Sequence, residues 1–168
     1  MQTLNYFDLL RRNNPTIENL CTYISEACPN YLSIYNTASP ATNTTSTTPV
    51  TITSMSGSLT AKAKDIVFYS CYVSLSTNTG TVREPTIDLY IYRDSTPIQS
   101  FTVRNPHTVG SSAGQDFGAG WSGYDIPGAG TFTYSLKWAL TGATGGTTVY
   151  TWRQILNAFT LNAMSEAL

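Results

Sequence analysis

The sequence predicts an all-β protein, a jelly-roll-like antiparallel β-sandwich with a short α-helical N-terminal arm. Three observations lead there. Apolar residues alternate with period two from about residue 51 onward, clusters of Gly, Pro, Asn and Asp cut that pattern into short runs, and the one clear helical periodicity lies before residue 30. A chain of 168 residues holds one domain of ordinary size and an appendage, but not two full cores. Hydrophobic residues make up 41% and charged residues only 11%, so a core can be filled while solubility rests on Ser, Thr, Asn and Gly. That balance is commoner in extracellular β-proteins than in cytosolic enzymes.

The arm is assigned to residues 1–35. Asn14 is placed to cap a helix over 15–28, with Pro15 at its first position, where the missing N–H costs nothing. Ile17, Leu20, Cys21, Ile24, Ala27 and Cys28 then fall on one stripe, and Pro29 ends it. A shorter amphipathic turn is expected over 4–10. Two short helices cannot enclose a core, so the stripe needs a surface: its own sandwich, a sister subunit or another protein. Ile17, Leu20, Cys21, Ile24 and Cys28 are therefore the candidate anchoring contacts. Residues 36–50, rich in Thr, Ser, Asn and Pro, have almost nothing to bury and read as an extended linker to a sandwich over 51–168.

Within the sandwich the clearest strand is 131–140, where Phe132, Tyr134, Leu136, Trp138 and Leu140 alternate with Thr131, Thr133, Ser135, Lys137 and Ala139. Strand 86–92 puts Ile87, Leu89 and Ile91 on one face and Asp88, Tyr90 and Tyr92 on the other. Arg93-Asp94-Ser95-Thr96-Pro97 forms a turn into a strand at 98–103, which makes 86–103 a hairpin. Further strands are expected near 51–60, 66–76, 147–153 and 155–162. No helix-length segments separate them, so the sheets are antiparallel.

Two motifs resemble catalytic signatures and fail for lack of context. Gly110-Ser111-Ser112-Ala113-Gly114 matches the G-x-S-x-G nucleophile elbow, yet no helix pattern follows and the one histidine, His107, precedes Ser112. Gly118-Ala119-Gly120-Trp121-Ser122-Gly123 matches a dinucleotide fingerprint, but a turn and not a helix N-terminus follows, so the glycines are read as permitting a bulge or close strand approach. Asp88, Asp94, Asp116 and Asp125 are dispersed, with Asp94 and Asp125 in turn contexts where Asp bonds local backbone. No catalytic residue, cofactor site or metal site is expected.

Three cysteines without CxxC or Cys/His pairing give neither a disulfide framework nor a zinc site. Cys21 and Cys28 sit about 10 Å apart along the expected helix, too far to bridge. A formal net charge of −1 with no basic run excludes nucleic acid and anionic membrane as expected partners. No stretch approaches the length of a membrane span, and the N-terminus lacks the pattern of a secretion signal. The aromatics, among them Tyr69, Tyr72, Tyr90, Tyr92, Trp121, Tyr124, Tyr150 and Trp152, exceed what one small core holds, so some belong to an interface.

The run Leu89-Tyr90-Ile91-Tyr92-Arg93-Asp94, followed about thirty residues on by Asp125-Ile126-Pro127-Gly128-Ala129-Gly130-Thr131-Phe132-Thr133-Tyr134-Ser135-Leu136, is similar to small sandwich domains of bacteriophage structural proteins, which resemble the jelly roll of the tumour-necrosis-factor and C1q type. Gly142-Ala143-Thr144-Gly145-Gly146 stands where such domains carry a Gly-rich loop before the closing strand, so the resemblance covers residues 52–162. Ser95 stands where the family has Gly, which leaves the hairpin turn type open. The resemblance implies a non-enzymatic virion protein assembled in the host cytoplasm: a homotrimeric capsid-decoration, head-fibre or tail-fibre module contacting other virion proteins. The alternative it implies is a receptor- or glycan-binding tip, with Trp121 and Tyr124 in a Gly-rich loop over 110–130 as the contacts.

Overall fold

The computed structural model describes residues 30–78, 86–104, 117–141 and 147–161. Among these residues eight strands follow one another: β1 (Tyr31–Thr44), β2 (Val50–Ala61), β3 (Ile66–Asn78), β4 (Thr86–Arg93), β5 (Thr96–Arg104), β6 (Phe117–Asp125), β7 (Gly130–Thr141) and β8 (Thr148–Leu161). They form two four-stranded sheets, ordered β1-β8-β3-β6 and β2-β7-β4-β5, with every pairing antiparallel. Only the β4–β5 hairpin stays within one sheet; each other connection crosses to the opposite layer. Eight strands arranged this way are a jelly roll.

The core lies between the layers. Ile52, Met55, Leu59, Ile87, Leu89, Ile91, Tyr134, Leu136, Trp138 and Leu140 line the inner face of one sheet, and Val67, Tyr69, Cys71, Val73, Leu75, Val149, Leu156 and Ala158 that of the other. The expected alternations hold in β4, where Ile87, Leu89 and Ile91 are buried, and in β7. Ser135 and Ala139 on the outer side of β7 are buried as well, because β2 and β4 flank that strand.

The structure corrects three expectations about segments. The linker assigned to 36–50 is largely strand: β1 runs to Thr44 on the edge of β8, and the Ser46 carbonyl accepts the Leu140 N–H at 2.7 Å. Residues 31–35, assigned to the arm, belong to the same strand. Threonine is a good strand former, and Leu32 and Ile34 supply the inward contacts of an edge strand that needs few. Among the described residues the sandwich therefore includes Tyr31–Thr44, ahead of the expected start at 51. Second, the strands expected at 147–153 and 155–162 are one. Val149 and Thr151 face inward, then Gln154, Leu156 and Ala158, so the alternation slips by one residue at Trp152-Arg153. That slip is a bulge, with the register shift opposite it in β3 and the Ser74 hydroxyl accepting the N–H groups of both Trp152 (3.3 Å) and Arg153 (2.9 Å). Third, 117–125 is a strand and not part of a loop. The helix over 15–28 with Ile17, Leu20, Cys21, Ile24 and Cys28, the motif around Ser112, and His107 and Asp116 all lie outside the described residues.

The two quoted motifs meet at one end of the sandwich. Asp94 takes a φ of 52° in the hairpin, accepts the Thr133 N–H at 2.8 Å through its carboxylate and donates its own N–H to the Thr133 carbonyl at 2.7 Å. Arg93 donates from one guanidinium nitrogen to both oxygens of Asp125, at 2.8 Å each, and the Tyr134 hydroxyl donates to the same carboxylate at 2.8 Å. Arg93 also lies 5.5 Å from the centre of the Phe132 ring. Asp125 ends β6 in one sheet, whereas Arg93 and Tyr134 come from the other, so the carboxylate pins the layers together. Gly128 follows at φ 84°, a conformation that favours glycine.

Arg93→Ala leaves a carboxylate that is only 11% exposed with one partner fewer, and is expected to lower the unfolding free energy by about 2–3 kcal/mol in urea titration. Tyr134→Phe is expected to cost about 1 kcal/mol, and the double variant less or more than the sum, because both act on Asp125. Additive costs would show that the three residues do not work as a unit.

Candidate assembly interface

Each layer has an outer face, and the two differ in chemistry. On β2-β7-β4-β5 the outer positions are mostly hydroxylic. Ser56, Ser58 and Thr60 stand opposite Ser135, Thr133 and Thr131, and the Thr60 and Thr131 hydroxyls are 2.9 Å apart. Asp88 accepts the hydroxyls of Thr102 (2.6 Å) and Thr141 (2.9 Å), and the Lys137 ammonium sits 3.9 Å from the centre of the Tyr92 ring. Such a surface is at home in water.

The outer face of β1-β8-β3-β6 is aromatic, and the register shows why. Tyr31 stands opposite Phe159, Phe159 opposite Phe68, and Phe68 opposite Tyr124, so one aromatic row crosses all four strands. Phe159 and Phe68 stack with centroids 5.9 Å apart, and Phe68 meets Tyr124 at 6.3 Å. Four residues along, a second row reads Tyr35, Ile155, Tyr72 and Gly120. Between them lies the polar row Ser33, Asn157, Ser70 and Ser122, in which Ser33 donates to the Asn157 side chain at 2.8 Å. Tyr72 leans toward Gly118, where a Cβ would come within 2.7 Å of its hydroxyl oxygen. Near the bulge Tyr150 and Trp152 stack at 6.3 Å. Tyr31 is 78% exposed and Tyr35 and Tyr124 are each 64% exposed, while Phe68 and Phe159 are half-buried against one another. Contiguous exposed apolar surface of this kind is uncommon on monomeric proteins.

Trp121 and Tyr124, paired as contacts in the sequence reading, are on neither the same face nor a loop. Tyr124 points outward into the first aromatic row. Trp121 points inward from β6 and stacks on Phe101 of β5 at 5.9 Å and 17°, closing the sandwich edge between the two layers. Below it, the Tyr69 hydroxyl donates to Gln99 at 2.8 Å, and Gly123 makes room: a Cβ there would lie 2.6 Å from the Tyr69 oxygen. Tyr69, Tyr90 and Tyr92, counted among the surplus aromatics, lie in the core and on the hydroxylic face. Tyr31, Phe68 and Phe159 were not singled out in the sequence, because their outward direction follows only from strand register.

Three groups packed inside the sandwich are shifted toward their neutral forms. Burial pushes the Cys71 thiol up to about 12, so it packs as a small apolar group. Burial, then the bond to Asp125, raises Tyr134, and burial raises Tyr69. Among the described residues no cluster of His, Cys, Asp and Glu is arranged to hold a metal ion.

No family model matches the chain, and no curated protein matches it in sequence. Among solved structures it is similar to the Eiger TNF of S. frugiperda, with a TM-score of 0.48 and 7% identity over 82% of this chain and 97% of that one. It is similar to the infectious bursal disease virus Gx strain structure with a TM-score of 0.42 and 14% identity, over 81% of this chain and 30% of that one. It is similar also to the insecticidal delta-endotoxin Cry8Ea1 of Bacillus thuringiensis with a TM-score of 0.44 and 15% identity, over 73% of this chain and 20% of that one. The jelly-roll assignment rests on the strand order above and not on these likenesses.

The different placements of Trp121 and Tyr124 have separable consequences. Trp121→Ala removes the stack that seals an edge and is expected to cost about 2–4 kcal/mol of unfolding free energy, whereas Tyr124→Ala is expected to change it by less than about 1 kcal/mol. Thermal or urea unfolding of the two variants checks this, and equal costs would contradict the geometry.

Proposed function

We propose that this chain is a non-enzymatic structural module of a virus particle, which associates as a homotrimer through the outer face of β1-β8-β3-β6 and is held on the particle by its N-terminal arm. The observation that carries the association is the pair of aromatic rows on that face beside a hydroxylic opposite face. Tyr and Phe bury large areas at little entropic cost and dominate the centres of stable interfaces. The polar row between them supplies directional groups that fix how two such faces register. The particle setting is supported by the motifs Leu89–Asp94 and Asp125–Leu136, which meet in the Arg93–Asp125–Tyr134 junction between the layers. The receptor- or glycan-binding alternative loses its paired contact, since Trp121 lies under Phe101 and Tyr124 belongs to the aromatic row.

The full chain is expected to have a native mass of three times 18.3 kDa, or a multiple of that, by light scattering. Replacing the three most exposed rings together, Tyr31→Ser, Tyr35→Ser and Tyr124→Ser, is expected to weaken trimerisation more than tenfold and reduce the mass to one or two chains, with far-ultraviolet circular dichroism unchanged; an interface ring is worth about 2 kcal/mol. A variant that keeps its mass would overturn the assignment of this face.

Attachment is tested separately by removing residues 2–29, which leaves every described strand intact. The shortened protein is expected to associate as before and to be absent from purified particles. Normal incorporation would place the anchor elsewhere.

A further inference from the structure

Among the described residues the sheets have four edge strands, and these are not equally protected. An edge presents unpaired N–H and C=O groups, and proteins blunt it with bulges, prolines or charges. The pairing of β1 shifts register between Thr37 and Thr42, a stretch that contains Pro40. That of β2 shifts between Thr51 and Ser56, with Ser54 at φ 63°. β5 carries Pro97 beside a shift at Ile91–Tyr92. β6 has none of these. Its register with β3 runs unbroken from Val67 opposite Asp125 to Leu75 opposite Phe117, it contains no proline or basic residue, and its one charge, Asp125, is spent on Arg93 at the strand's end. Among the described residues nothing pairs with its other side.

We propose that β6 pairs antiparallel with the β6 of a second copy about a two-fold axis at Gly120, joining two sheets into one of eight strands. The sequence of β6 is complementary to itself in that register. On the inner side Trp121 stands opposite Ala119 of the other copy and Phe117 opposite Gly123, so each large side chain meets a small one. On the outer side Gly118 meets Ser122 and Gly120 meets Gly120, which lets two backbones approach without obstruction. The same glycines that weaken β6 as a strand suit it as a seam. The axis is perpendicular to the sheet, so the aromatic faces of both copies lie on one side and the row Tyr35, Ile155, Tyr72, Gly120 continues across the seam. This contact is distinct from the trimer contact through the outer face and does not depend on it.

The test is oxidative cross-linking of the full chain carrying Gly120→Cys. A Cβ at this position comes no closer than 3.4 Å to any neighbour, so the strand accepts it. Directly opposed residues in an antiparallel pair have Cα atoms about 4.5–5.5 Å apart, within disulfide reach. Mild oxidation is expected to give a covalent dimer whose linked peptide, identified by mass spectrometry, joins position 120 to position 120. Ser122→Cys is the control: its two copies would be about 13 Å apart along the strands and are expected not to link. The link at 120 is expected to persist when Tyr31, Tyr35 and Tyr124 are changed to Ser, so loss of the face contact leaves this result unaffected. No link at 120, equal linking at 122, or a link from position 120 to Cys21 or Cys28, which would put the N-terminal segment on this edge, each overturns the proposal.

Discussion

A two-layer sandwich buries one face of each sheet and leaves the other face to whatever lies outside. The rest of this molecule is arranged by that constraint. The β2-β7-β4-β5 layer meets it with Ser and Thr ladders and a carboxylate ringed by hydroxyls. The β1-β8-β3-β6 layer places Tyr31, Phe159, Phe68 and Tyr124 in line across all four strands instead. Water is a poor neighbour for such a row, since each ring carries a large apolar area. The asymmetry between the layers leaves one outer face hydroxylic and the other aromatic.

For the faces to differ consistently the layers must be locked in one relative position, and the junction at Asp125 does this. A carboxylate ending a strand of one sheet takes a guanidinium and a phenol from the other, while Asp94 ties the hairpin to the backbone of β7. Breaking such a junction leaves a charge short of partners, which costs more than the bonds themselves are worth. Its members belong to two segments about thirty residues apart in the sequence, which the fold brings together at one end of the sandwich.

Much of this fold was legible in the sequence. Period two in 86–92 and 131–140 and the turn at Asp94 follow from local chemistry, and all are present. What was not legible fails for identifiable reasons. β8 looks like two strands because a bulge at Trp152-Arg153 shifts its phase, and β1 looks like a linker because an edge strand needs few apolar residues. In β6 the alternation is one of size more than hydropathy. The aromatic face was harder still, since Phe68 and Phe159 lie 91 positions apart in the sequence and become neighbours only through register. Trp121 and Tyr124 were noticed as aromatics with an interface role, yet their three-residue separation puts them on opposite faces of one strand, which a loop reading could not reveal.

The central claim is that one outer face is covered by protein and the other is wet, and side-chain footprinting with hydroxyl radicals addresses it directly. Applied to the full chain at concentrations above and below its association midpoint, the account predicts that Tyr31, Tyr35, Phe68, Tyr72, Tyr124 and Phe159 become protected together as the assembly forms, while Tyr90 and Tyr92 keep one reactivity throughout. Protection of Tyr90 and Tyr92 with the first group still reactive would contradict it.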